Sequence, residues 1–248
     1  MEALVDLAGV HLDALDGGPA VLDALDLALA PGTLTGLIGP PSSGKSVLLK
    51  LIAGLIRPNR GRAIVAGVDL LAGRAADKRQ LQRSIGMLFQ NNALFDSLTV
   101  FENVAFPLRR LPTPPTESEI GTRCKARIEE VGLGHAMDRF PHQLSGGMQK
   151  RAGIARATIA EPRLRLFDEP TAGLDPVTGA RILALITELH RRDERGVTII
   201  VSNEMDTLLA AVPRVILIDR GKVAWDGASA LVDQAPDTVR GFITGEAA

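Results

Sequence analysis

"GPPSSGKS", residues 39–46, fits the pattern G-x-x-x-x-G-K-[ST]. It stands between "TLTGLI", which reads as a strand, and "VLLKLIAGLI", whose apolar residues recur at helical spacing until Arg57–Pro58–Asn59 stops them. A glycine-bounded loop entering a helix turns backbone N–H groups toward a phosphate, where the helix dipole favours negative charge. Gly39, Pro40, Pro41, Ser42, Ser43 and Gly44 would form this cradle. Lys45 would reach the β- and γ-phosphates, and Ser46 would offer its hydroxyl to Mg²⁺. The strand context makes a chance Gly/Ser turn the poorer reading.

A second motif lies downstream in "RLRLFDEP", where an apolar strand ends in Asp168 and Glu169. Adjacent acids alone usually mark a solvated turn. Following a strand, and in a chain with a phosphate loop, Asp168 is placed to hold Mg²⁺ and Glu169 to polarise an attacking water. Arg165 interrupts the pattern, since buried parallel strands are nearly unbroken apolar runs. The alternation of Arg163 and Arg165 with Leu164 and Leu166 predicts one less buried face on this strand.

Strands and helices alternate on both sides of these motifs, which predicts an α/β fold with a mainly parallel sheet. Between about 91 and 161 the character changes. Thr99 with Glu102 and Thr116 with Glu119 form T-x-x-E capping boxes over two helical runs joined by "LPTPPT". The expected organisation is one domain, 1–248, with an α/β core from 1–90 and 162–248 and a helical insert at 91–161.

With 46% hydrophobic residues the chain has ample material for a core, and its net charge of −1 supplies no global field for nucleic acid. The lone Cys124 excludes an internal disulfide and reads as an inert thiol in a helix. No apolar run reaches the ~18–20 residues that span a bilayer, so no direct membrane insertion is expected. The first residues carry acids and no basic region, unlike a secretory signal, and a cytoplasmic location follows as the expectation.

"LSGGMQKRAGIARA", residues 144–157, adds a second anion-binding helix start at Ser145, Gly146 and Gly147. Two nucleotide-facing elements on one chain point to a site shared between subunits. With Gln90 after a strand and "AGLDP" after the paired acids, the chain resembles the ATP-binding subunit of ABC transporters over nearly its whole length. That resemblance implies a P-loop NTPase (RecA-like) core with an antiparallel β subdomain and an inserted α-helical subdomain. It also implies ATP and Mg²⁺ as ligands and ATP hydrolysis in a homodimer that sandwiches two nucleotides. Ser145, Gly146 and Gly147 would contact the γ-phosphate in trans, Gln90 would approach Mg²⁺ and water, and Asp175 would lie at the dimer seam. Asp175 before Pro176 reads equally as a simple helix N-cap. An integral-membrane permease would dock around residues 90–110 and hold the subunit peripherally on the inner face of the cell membrane. "GMLFQNNALFDSLTVFENVAFPLR" further resembles the ATPases of Mla/Mce-type phospholipid systems of diderm bacteria, which implies lipid transport.

The chain also departs from the family. It has no tyrosine, and its first aromatic is Phe89, so the adenine-stacking position near Leu15–Asp16 is aliphatic or acidic and relaxed base selectivity is expected. Pro41 and Ser42 occupy loop positions where serine or asparagine and then glycine are commoner. Asn203 stands where the family has a histidine that holds the γ-phosphate; His11, His135, His142 and His190 end no strand. An asparagine can donate and accept but cannot become cationic. Hydrolysis is therefore expected to be slow; Asn203 as an ordinary N-cap of the helix in "EMDTLLAA" is the structural alternative. The competing functions are an ABC ATPase for another substrate, a nucleotide-gated module with little hydrolysis, and a soluble ABC factor acting on ribosomes or DNA.

Overall fold

The computed structural model describes residues 3–14, 17–193 and 195–244. The run entering the phosphate loop is strand β3, Leu34–Ile38, buried along its whole length. In chain order the strands before it are β1, Val5–Leu12, and β2, Leu22–Leu29, and helix α1, Lys45–Ile52, follows the loop. Next come β4, Arg60–Val65; β5, Val68–Asp69; α2, Ala75–Arg83; and β6, Ile85–Leu88. Helices α3, Val100–Arg109, α4, Glu117–Glu130, and α5, Gly146–Thr158, precede β7, Leu164–Asp168. Then follow α6, Pro176–Arg191; β8, Val197–Val201; α7, Met205–Ala211; β9, Arg214–Asp219; β10, Lys222–Ala228; and α8, Asp237–Thr244.

The central sheet runs β10-β9-β3-β8-β7-β6. Every pairing in it is parallel except that of β10, an antiparallel edge strand with alternating exposure. Because β3, β6, β7 and β8 point the same way, the phosphate loop, Gln90, Asp168–Glu169 and Asn203 leave the sheet at one edge. Ligands of open α/β sheets bind at that carboxyl edge. A second, antiparallel sheet, β2-β1-β4-β5, covers one side.

Alternate side chains of the parallel strands enter two different cores, as a period of two requires. Leu37, Leu166 and Ile199 join α1 and the antiparallel sheet in one cluster. Their neighbours Ile38, Phe167 and Ile200 pack on Ile182, Ile186 and Leu208 of α6 and α7 in the other. A third cluster lies among α3, α4 and α5, around Val104, Ile120, Cys124 and Ala152. Both expected capping boxes close there, Thr99 with Glu102 and Thr116 with Glu119. Burial pushes the Cys124 thiol up to about 11, which keeps it unreactive. No helix among the described residues is long and apolar enough to cross a membrane.

One expectation needs correction, and one element goes beyond what the sequence predicts. Strand β7 has no exposed face, since all five of its residues are buried, Arg165 included. The Arg165 guanidinium pairs with Asp193 and donates to Thr198 Oγ1 at 3.4 Å. Gly196 makes room for the pair, because a Cβ there would stand 2.7 Å from Arg165 Nη2. Helix α2 has no counterpart in the sequence reading. Its "AADKRQLQR" buries only Leu81, so there is almost no apolar stripe to detect.

Candidate functional site

The phosphate loop holds its shape through its glycines. Gly39 has φ +149°, and a Cβ there would fall 2.0 Å from Ile218 O; Gly44 has φ +106°, with Val21 O in the way at 2.9 Å. Ser42 adopts φ +61°, the left-handed angle its place in the loop demands, at a cost of roughly 1–2 kcal/mol for a residue with a Cβ. Helix α1 starts at Lys45 with no side chain capping it. Ser43 Oγ is buried without a partner. Lys45 Nζ turns back to Gly39 O at 2.7 Å and Pro40 O at 2.8 Å. Burial lowers its proton affinity while Glu169 and Asp168 oppose the shift. An uncapped helix start, an orphan hydroxyl and an ammonium group in one loop fit a bound phosphate.

Ser46 Oγ donates to Asp168 Oδ1 at 3.0 Å, so two of the three expected metal ligands already touch. Burial raises the Asp168 carboxyl above its usual range, and the Ser46 hydrogen bond opposes this. The described residues contain no group of three or more His, Cys, Asp or Glu able to hold a metal. Mg²⁺ suits such a place, because it takes few protein ligands and completes its shell with phosphate oxygens and water. Gln90 is exposed just beyond β6; its backbone carbonyl accepts from Lys150 Nζ at 2.8 Å.

Glu169 is buried at φ +50°, with its N–H bonded to Val201 O at 3.0 Å. Its carboxylate accepts from Asn203 Nδ2 at 2.5 Å and from the Asn203 backbone N–H at 3.3 Å. Burial raises the Glu169 carboxyl, and the Asn203 N–H pulls it the other way. The N-cap alternative for Asn203 does not hold: Glu204 precedes α7, and Asn203 spends its side chain on Glu169. Lys150 also reaches Glu169 O, at 3.1 Å. Nothing in the run 144–157 signals this contact, since a lysine in a helix is normally solvated.

Ser145 caps α5, its Oγ accepting from Met148 N at 3.4 Å, and Gly146 opens the helix on the surface. Asp175 caps α6 by accepting from Thr178 N at 3.0 Å, with Pro176 in the first turn. The Thr178 bonds hold its carboxyl below the usual range. A Cβ on Gly147 would lie 3.2 Å from Thr178 Cγ2, so the two helix starts adjoin. Ser145, Gly146, Gly147 and Asp175 therefore share one surface with Val177, which is 62% exposed. The expected adenine position, Leu15–Asp16, lies outside the described residues. In sequence the nearest ring is that of His11, which lies between Asp13 at 3.0 Å and Asp23 at 3.3 Å.

Residues 22–172 match the family described as ABC transporter. The chain is 40% identical to the methionine import ATP-binding protein MetN of Caulobacter vibrioides, over 92% of this chain and 68% of that protein. It is likewise 40% identical to MetN 1 of Rhodopseudomonas palustris, over 90% and 60%. The chain thus spans roughly two thirds of the length of these relatives. Its fold is similar to the ATP-binding cassette MJ0796, solved as a post-hydrolysis dimer with ADP and Pi. The TM-score is 0.82 at 28% identity, covering 91% of this chain and 98% of that one. It is also similar to cbiO1 of Clostridium perfringens, part of the ABC transporter complex cbiONQ, with a TM-score of 0.83 at 27% identity over 97% and 94%.

Proposed function

The chain belongs to the ABC transporter family as its ATP-binding, ATP-hydrolysing cassette, and from that premise we propose that it powers a membrane transporter by closing as a dimer on two Mg-ATP molecules. The observation that carries this reading is the cluster at the sheet edge, where the Ser46–Asp168 bond stands beside Glu169 held by Asn203. The loop 39–46 binds the phosphates, with Lys45 swinging from the Gly39 and Pro40 carbonyls to the β/γ oxygens. Ser46, Asp168 and Gln90 would hold Mg²⁺, which when bound would supply neutralisation of charge on the transferring phosphoryl group. Glu169 draws a proton from the attacking water, and its buried, raised carboxyl suits a base. Ser145, Gly146 and Gly147 face the nucleotide of a second copy, with Asp175 along the seam.

The permease docks against a cleft of about 430 Å³ between the core and residues 91–161, which we take as the helical insert. Leu55, Met87, Phe89, Phe95, Phe106 and Pro107 line it. Leu55 and Phe95 are exposed there, as apolar groups awaiting a partner are. Docking holds the subunit on the inner membrane face.

The cargo is set by the permease and not by this chain. The names of the relatives favour methionine import. Phospholipid transport gains no support from them and stands as the second reading, on the resemblance that residues 86–109 carry. Purification with the products of neighbouring reading frames tests both. Stimulation of ATP hydrolysis by methionine with its binding protein supports the first reading, and stimulation by phospholipid supports the second. Failure of the purified chain to release phosphate from Mg-ATP would sink the engine itself.

A further inference from the structure

Lys150 lies in the second turn of α5 and is only 4% exposed, a rare burial for a lysine. Among the described residues it makes no ion pair. Its ammonium donates to two backbone carbonyls, Gln90 O at 2.8 Å and Glu169 O at 3.1 Å. These belong to different loops, one following β6 and the other following β7.

Each loop has a reason to need the anchor. Glu169 leaves its strand at a positive φ, so strand pairing does not orient the peptide that follows it. Val201 O fixes its N–H, Asn203 fixes its carboxylate, and Lys150 at 3.1 Å holds its carbonyl together with the Ala172 N–H at 3.3 Å. The other loop is carried by α5 as well. Arg156 donates to Asn92 O at 2.9 Å and Ala93 O at 2.7 Å, and Asn92 Nδ2 reaches Gln149 Oε1 at 3.4 Å. Of these α5 side chains, Lys150 is the one that also touches Glu169. The loop it holds is flanked by Phe89 and Ala93, both in the wall of the docking cleft.

We propose that Lys150 is a positioning residue that ties the placement of Glu169 to the Gln90 loop through its two hydrogen bonds, so that hydrolysis depends on a lysine that touches neither nucleotide nor water. The proposal rests on the ATPase reading above and adds to it a residue that orients the base. A shift of the loop pulls Nζ, and Nζ moves the peptide whose side chain must meet the water. Displacements below an ångström suffice, because a base works only at hydrogen-bond distance.

The test compares the purified wild-type chain with Lys150→Met, which keeps the length of the side chain and removes its donors. Phosphate release gives kcat, a fluorescent ATP analogue gives affinity, and amide hydrogen exchange reads the loops. The expected result is a kcat lower by about tenfold with affinity within about twofold of wild type. Exchange should quicken in both 89–93 and 168–171 while α3 and α4 keep their protection. Should Lys150→Met fail to fold, Lys150→Arg and Lys150→Gln are compared, with Arg, whose donors reach as far as the ammonium, expected to be more active than Gln, whose amide donors stop one bond short of both carbonyls. A kcat within about twofold of wild type, faster exchange in only one loop, or Gln as active as Arg overturns the proposal. A wild-type chain that releases no phosphate refutes the ATPase reading itself; hydrolysis undiminished in Lys150→Met refutes only the role of Lys150.

Discussion

Asn203 turns both of its nitrogens toward one carboxylate: Nδ2 lies 2.5 Å from Glu169 Oε1, and the backbone nitrogen lies 3.3 Å from Oε2. The turn that presents it is itself pinned, since Ser202 Oγ accepts from Glu204 N at 3.1 Å and meets Thr171 Oγ1 at 3.4 Å. An amide in this position orients the base at every pH. It adds no positive charge for the γ-phosphate, and it occupies an oxygen that must receive the proton of the water.

Turnover should therefore respond to Asn203 in both directions. Asn203→Ala removes the side-chain donor and should lower kcat by about tenfold or more, toward the range seen when a transition-state donor is lost. Asn203→His restores a ring that can carry charge and should raise kcat above wild type. Steady-state phosphate release decides the matter, and equal rates for wild type and Asn203→His would remove the idea of a weakened switch.

Glu169→Gln should abolish hydrolysis, by about 10² or more, while ATP binding persists. In the wild type, kcat should fall as pH drops through the Glu169 value, which burial sets above the ordinary carboxylate range. The same shift predicts a stability effect with a definite sign. A carboxyl whose folded pKa is raised binds its proton more tightly when folded. Its contribution is fully present below the unfolded value and is lost as pH rises through the folded one. At neutral pH the nucleotide-free chain bears that loss, so Glu169→Gln should raise its Tm, and the gain should vanish near pH 4. A Tm difference independent of pH would contradict the assignment.

These effects involve residues that differ in how far the sequence reveals them. The phosphate loop, both capping boxes and the Asp175 cap depend on neighbours within a few positions, and all were legible. The burial of Arg165 was not, because its partners Asp193 and Thr198 lie on other elements. Lys150 was hidden for the same reason: its acceptors are 60 and 19 positions away. Asn203 was recognised by its place after a strand, yet its bond to Glu169 required β7 and β8 to be adjacent. Helix α2 shows the opposite failure, a local element held with too few apolar residues to leave a pattern.

Base selectivity should be weak. The chain has no Phe, Tyr or Trp before Phe89, so no such ring upstream of the loop can stack on adenine. Stacking of a base on an aromatic is worth about 1–3 kcal/mol. Without it, ATP and GTP should displace a fluorescent nucleotide at concentrations within about tenfold of each other. A preference for ATP well beyond that would reveal another source of recognition.

The Arg165–Asp193 pair separates structural from catalytic charge. Burial lowers the proton affinity of Arg165 and Asp193 opposes the shift; the guanidinium side chain is 4% exposed against 39% for Asp193. Removing Asp193 strands a buried cation, which costs about 3–5 kcal/mol when both partners are buried. The exposure of Asp193 reduces this to about 2 kcal/mol for Asp193→Ala. Arg165→Leu removes the buried charge itself and fills the space with apolar volume, so it should cost less than Asp193→Ala, or nothing. Neither change should alter kcat per folded molecule, since Arg165 lies near the start of β7 and Asp168 ends it, about 10 Å further along the strand. Urea unfolding of the nucleotide-free chain measures both costs. A greater loss in Arg165→Leu than in Asp193→Ala would show that the guanidinium stabilises the sheet through its bond to Thr198 and not merely as a compensated charge.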